Sequence, residues 1–257
     1  MTLARVDERD RCLVVVNMNA QKRGALSPDL YAAIQEAAAR AKDPKIRAIV
    51  LSSEGGYFCA GGDLTVLIER RGLPEEERRE KIEHLHDVIR ALRDAPVPVV
   101  AAVEGGAAGA GVSIALACDF VVASEDAHFV AAYVKAGLVP DGGLTASLAR
   151  LVPKALAMEM CVLAEPVSAQ RLAALGVVNR IVPTGAAEEQ ALALAARIAT
   201  GPRQAQAAIR DMVHAAYDSA FDAQLATERD AMTRATGGDE AAEGIAAFLE
   251  KRRPAFP

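Results

Sequence analysis

The sequence contains no tryptophan, and only 4% of its 257 residues are aromatic. Aliphatic side chains and alanine must therefore fill the interior, which suits closely packed helices. Cysteine is sparse: Cys12, Cys59, Cys118 and Cys161 stand far apart and form no CxxC pair. That spacing argues against a metal site or a disulfide framework and predicts buried, reduced thiols, with no bound metal expected. Long apolar runs are missing too, because Asp, Glu, Arg or Pro interrupts each one, so no membrane association is expected. The opening MTLARVDERDRC lacks the apolar stretch of a signal peptide, and the expected location is the cytoplasm. Nor is there an excess of basic charge: the formal net charge is −5, which gives no reason to expect nucleic acid as a partner.

What is present is an ordinary globular balance, 52% hydrophobic and 25% charged residues, enough for one large α/β domain or one with a helical appendage. Cys12–Met18 is rich in β-branched residues and reads as a strand. Ser27-Pro28 then opens a helix, Ser27 as the cap and Pro28 where its missing N–H costs nothing. The helix is expected to stop at Asp43-Pro44. Ile46–Leu51 and Val97–Val103 are apolar runs of strand length, each followed within a few residues by a glycine-rich stretch. Between them, Pro74–Asp94 carries Ile82, Leu85, Ile89 and Leu92 at helical spacing, and its PEEERREK start reads as a solvated face. Phe120–Ala123 is another short strand. Beyond Gly143 helix is expected almost throughout, apart from Val177–Val182. The division expected is a core over 1–199 and a C-terminal helical subdomain over 200–257.

Two glycine-rich stretches carry the chemical argument: FCAGGDL (58–64) and GGAAGAG (105–111). Glycine or alanine is needed where backbone must approach a ligand closely. Two such loops at strand exits are able to aim two N–H groups at one developing oxyanion. Taken on glycine content alone, tight turns packed for backbone proximity explain them better. In GLVPDGG (137–143), Asp141 precedes an apolar helical run. It either caps a helix starting near Gly142 or faces an apolar pocket as a base, and the residues alone leave both open. Asp119 and Glu104, beside the second glycine loop, read as structural acids that satisfy backbone donors. His86 shares the helix face of Ile82 and Ile89, so a packed histidine is its commoner explanation, with a site role as the alternative. His84 falls off that face and is expected to be exposed.

FCAGGDL, VAAVEGGAAGAG, ACDFVVAS, GLVPDGG and GIAAFLEKRRPAF occur in that order over nearly the whole chain. Together they resemble the crotonase superfamily, the enoyl-CoA hydratase/isomerase family. The resemblance implies an α/β spiral of ββα units with a C-terminal helical trimerisation region, assembled as a homotrimer or a dimer of trimers. It implies acyl-CoA substrates, with coenzyme A part of the substrate and no separate cofactor. By motif position, the N–H groups of Gly62 and Ala110 would hold the thioester oxygen. Lys22, Arg23, Ala25, Ala60, Asp63 and Leu64 match the CoA-binding loops. Phe248 and Lys251 match positions that reach CoA, commonly from a neighbouring subunit.

The chain also departs from the family. Ala20 and Gly24 stand where a proline and an asparagine are usual, which puts the detail of CoA contact in doubt. Hydratases of the family use two glutamates to hold and activate water, and here those positions are Ser113 and Tyr133. Neither side chain works as a carboxylate base. Asp141 remains, and its branch resembles the isomerase of ring-epoxidised phenylacetyl-CoA and the enoyl-CoA isomerases. The expectation is an acyl-CoA isomerase with Asp141 as acid/base, Gly62 and Ala110 as oxyanion hole, and Tyr133 lining the pocket. The rivals are an Asp-dependent dehalogenase or thioesterase of aryl-CoA, in which His86 would activate water, and a non-catalytic CoA- or RNA-binding homologue.

Overall fold

The computed structural model describes residues 2–257. The chain opens with a hairpin, β1 (Ala4–Arg9) and β2 (Cys12–Asn17), whose two-residue turn places Asp10 at φ 55°. Strand β1 is not evident in the sequence: ARVDER is an edge strand with only Ala4 fully buried, so it carries no apolar signal. Next come α1 (Pro28–Arg40), β3 (Ala48–Ser53), α2 (Leu64–Arg70), α3 (Glu75–Arg93) and β4 (Val99–Val103). The Ser27 hydroxyl accepts the Leu30 N–H at 3.2 Å and Pro28 takes the first helical position, as expected from the sequence.

Then follow β5 (Gly106–Ala108), α4 (Ala110–Ala117), β6 (Phe120–Ser124), β7 (His128–Val130), α5 (Leu144–Leu151) and α6 (Lys154–Met158). A π-helical turn at Glu159–Leu163 leads to β8 (Val167–Ser168), α7 (Ala169–Ala174), β9 (Arg180–Val182) and α8 (Ala187–Ala199). The chain ends in α9 (Arg203–Ala216), α10 (Phe221–Thr236) and α11 (Asp239–Leu249). None of these helices is long and apolar enough to cross a membrane. The short strand β8 lies inside the stretch expected to be helical, because Pro166 precedes it and Ser168, its last residue, already caps α7.

The main sheet has the order β1-β2-β3-β4-β6-β9, antiparallel in the hairpin and parallel thereafter. Its central strands are buried on both faces, and the period of two divides their side chains between two layers. Leu13, Val15, Ile49, Leu51, Val99 and Ala101 join a large core with α1, α3 and α4. Val14, Val16, Val50, Val100 and Val122 face the other way, onto Ala187, Ala191, Leu194 and Ile198 of α8. Alanine at three contact positions of α8 lets that helix lie close to the sheet. A second, three-stranded sheet, β5-β7-β8, sits at the exits of the parallel strands. The turn at 200–202, where the sequence reading divides the chain, separates α8 from α9, yet α9 is tied back to the body by Arg210 and His214.

Candidate active site

The two glycine loops meet. Cys59 and Ala107 form a parallel bridge, and the Ala108 N–H donates to the Cys59 carbonyl at 2.8 Å. Gly61, at φ 85°, is required twice over: a Cβ there would lie 2.6 Å from the Ala108 carbonyl oxygen and 3.2 Å from the Ala110 nitrogen. Gly111 likewise packs on Cys59, whose carbonyl oxygen a side chain would strike. This contact brings Gly62 beside the start of α4. Among the described residues, neither the Gly62 nor the Ala110 N–H has an acceptor, and Ala110 opens the first turn of α4, where amides lack helical partners. The positive end of that helix adds to the pull on an anion.

A third segment closes on these loops. Arg23 accepts the Ala60 N–H at 3.0 Å through its carbonyl, and the Leu26 N–H donates to the Gly61 carbonyl at 2.8 Å. Buried Asn17 and Asn19, which sequence reasoning did not single out, donate through their amides to the Gly24 and Ala25 carbonyls. Gly24 sits at φ 69°, where a Cβ would lie 2.6 Å from the Phe58 carbonyl oxygen. So Lys22, Arg23, Ala25, Ala60, Asp63 and Leu64 are brought together. Lys22 pairs with Asp63, which caps α2 by accepting the Thr65 N–H at 2.9 Å. The Lys22 hydrogen bond is the main cause holding the Asp63 carboxyl below its ordinary range. The Arg23 guanidinium lies 4.0 Å over the Tyr57 ring, and Leu64 is exposed.

Asp141 is half-buried and does not cap a helix with its side chain. Helix α5 starts at Leu144 after Gly143 at φ 76°, and only the Asp141 carbonyl accepts an N–H, that of Leu144 at 3.2 Å. Its carboxylate accepts the Tyr133 hydroxyl at Oδ1, 2.7 Å away. Ser113, on α4 and 1% exposed, donates to the Asp141 carbonyl at 2.9 Å and lies 3.3 Å from the Tyr133 oxygen. Gly142 packs on Ser113: a Cβ would come within 2.9 Å of the serine Cβ and 3.4 Å of a Leu85 methyl. Among the described residues no Lys, Arg or His pairs with Asp141. Burial first, and the Asp141 charge second, push the Tyr133 phenol far above its usual range. The same two causes, in the same order, raise Tyr31 on α1 to about 12. The Asp141 charge thus acts on Tyr31 as well, an influence with no local signal in the sequence.

Other candidates lie elsewhere. His86 is half-exposed, its Nδ1 3.3 Å from Glu83, and it makes no hydrogen bond to Asp141 or Tyr133 among the described residues. His84 is exposed. Phe248 is 84% exposed on α11 and Lys251 lies exposed just beyond it, neither bonded to the Asp141 cluster within the chain. Glu104 accepts the N–H groups of Gly185 and Ala187, and Asp119 accepts that of Val99, so both satisfy backbone donors. A separate cavity of about 440 Å³ lies between α5, β6 and α9, lined by Phe120, Leu151, Ile209 and His214 but not by Asp141.

The sequence profile of the enoyl-CoA hydratase/isomerase family matches residues 8–257. A probable enoyl-CoA hydratase of Rhodobacter capsulatus is 39% identical, covering 96% of this chain and 91% of the relative. The 1,2-epoxyphenylacetyl-CoA isomerase of Escherichia coli is 32% identical, over 96% of this chain and 95% of that one. The crystal structure of an enoyl-CoA hydratase from a Polaromonas species superposes with a TM-score of 0.96 at 44% identity, covering 99% of each chain. The relatives thus include both hydratase and isomerase names.

Proposed function

The chain belongs to the enoyl-CoA hydratase/isomerase family, enzymes of CoA thioesters, and from that premise we propose that it is an acyl-CoA isomerase. The observation that carries the reading is the pairing of two N–H groups, Gly62 and Ala110, that have no acceptor among the described residues with a carboxylate, Asp141, that has no cation among them. In this reading the thioester oxygen sits between the two N–H groups. Asp141 takes a proton from a carbon next to a double bond, and the electron pair moves into the conjugated enolate. The negative charge rests on the oxygen held by Gly62 and Ala110. Asp141 then returns the proton to another carbon of the same system, and the electrons close the new double bond. Lys22, Arg23, Ala25, Ala60, Asp63 and Leu64 are proposed to hold the CoA portion, while Phe248 and Lys251 would contribute from a neighbouring subunit of a trimer or dimer of trimers.

Hydration asks for more than this site offers. A water must be oriented and deprotonated on one side and the neighbouring carbon protonated on the other, work that a pair of carboxylates divides. Ser113 and Tyr133 have their protons committed to the Asp141 carbonyl and Oδ1. The Asp-nucleophile rival needs a histidine to activate water, and His86 pairs instead with Glu83. The test is a 3-enoyl-CoA isomerase assay run beside crotonyl-CoA hydration. Asp141→Asn should lower isomerisation by about 10²–10⁴-fold while CoA-ester affinity changes only a few-fold. Rapid hydration by the wild type, or full activity in the variant, would refute the single-carboxylate reading.

A further inference from the structure

We propose that Tyr133 is a positioning residue for Asp141: its hydroxyl occupies Oδ1 and leaves Oδ2 as the one oxygen that exchanges a proton with the substrate. The inference rests on Asp141 being the acid/base, and it follows from where each proton in the cluster goes. Ser113 has one hydroxyl proton, given to the Asp141 carbonyl at 2.9 Å. Tyr133 has one, given to Oδ1 at 2.7 Å. The 3.3 Å approach of the two hydroxyl oxygens is therefore a packing contact, with neither proton left to share. Ser113 is buried in α4 and Tyr133 packs against the main core, so both donors are fixed by the fold.

The two oxygens of a free carboxylate are equivalent and exchange by rotation of the group. Here that rotation would break the Tyr133 hydrogen bond. When Oδ2 receives the substrate proton, Oδ1 becomes a carbonyl oxygen and still accepts from Tyr133. The hydrogen-bond pattern is thus the same before and after proton transfer, and no donor reorients during the step. The phenol keeps its own proton throughout, since burial and the neighbouring carboxylate both oppose its ionisation. The proton leaves one carbon for Oδ2 and returns from Oδ2 to another on the same face of the substrate, with the electron pair held in the enolate between the two events.

The experiment compares wild type, Tyr133→Phe and Asp141→Asn on 3-enoyl-CoA in D₂O. Tyr133→Phe is expected to lower kcat about tenfold or more, the effect of losing one charge-assisted hydrogen bond. Its KM should stay within about twofold, and more product should carry solvent deuterium than with wild type, because an unpinned carboxyl turns over and exchanges. Wild-type kcat and labelling in Tyr133→Phe, with Asp141→Asn inactive, would overturn the positioning role and leave the acid/base reading standing. An active Asp141→Asn would instead remove the acid/base reading itself. Should the phenylalanine variant not fold, 3-fluorotyrosine placed at 133 keeps the hydroxyl. Its ¹⁹F resonance should shift when Asp141→Asn is introduced beside it, and an unmoved resonance would overturn the proposal.

Discussion

Two aspartates of this chain, Asp119 and Asp141, make an instructive pair. Asp119 is 11% exposed at its side chain and fully engaged: it accepts from the Val99 N–H, from Arg210 Nε at 2.7 Å and from His214 Nε2 at 2.9 Å. Burial works to raise its carboxyl, but the His214 hydrogen bond and the Arg210 charge outweigh it and hold the group below its ordinary value. Arg210 is itself buried and donates to the carbonyls of Arg93, Ala95 and Leu92. Among the described residues, Asp141 has one neutral donor, no paired cation and one carboxylate oxygen without a partner. Engagement, more than depth, separates the carboxylate that clamps the fold from the one proposed to move protons.

That contrast can be broken by substitution. Arg210→Ala should be the most damaging for stability, about 3–5 kcal/mol, since it takes the buried guanidinium away from Asp119 and removes a donor from three carbonyls; chemical denaturation measures it. Asp141→Asn should change stability by less than about 1 kcal/mol in the same assay, and a loss as large as that of Arg210→Ala would erase the distinction. Ala110→Pro removes an N–H at the first position of α4, where proline is tolerated. A rate loss of about 100-fold with an unaltered melting curve is expected, and an unaffected rate would take Ala110 out of the oxyanion hole. The smallest effect concerns acid. Because the folded Asp119 carboxyl lies below its usual 3.8, its contribution is complete above that value and is lost as pH falls through the folded one. Denaturation curves at pH 3 and pH 7 should therefore differ less for Asp119→Asn than for wild type.

Much of the site is written locally. The glycines at 61 and 111, the strand runs before them and Asp141 between Pro140 and Gly142 are short-range signals, and each strand lies within a few residues of its apolar run. What escaped are pairings across long stretches of chain. Arg210 reaches Asp119 over 91 residues and His214 over 95, while Arg210 by itself reads as a charge on an amphipathic helix. Tyr31 sits among the buried residues of α1, and nothing near it in the sequence predicts that the Asp141 charge acts on its phenol. The N-cap option for Asp141 failed because Gly142 and Gly143, at φ 58° and 76°, delay the helix to Leu144 and free the side chain to turn toward Tyr133. Strand β1 escaped for the opposite reason, since its edge position asks almost nothing of its residues.

The bridge between Cys59 and Ala107 has an evolutionary consequence. It continues strand-to-strand pairing past the end of the sheet, so the spacing of the two loops follows from the repeat of a β-ladder, about 4.8 Å. A distance set that way does not depend on the side chains around it. On the proposed mechanism, substitutions at 113, 133 and 141 can then replace one chemistry with another while the proposed anchor for the thioester oxygen stays in register. A scaffold of this kind can diversify its reactions without relearning how to hold its substrate.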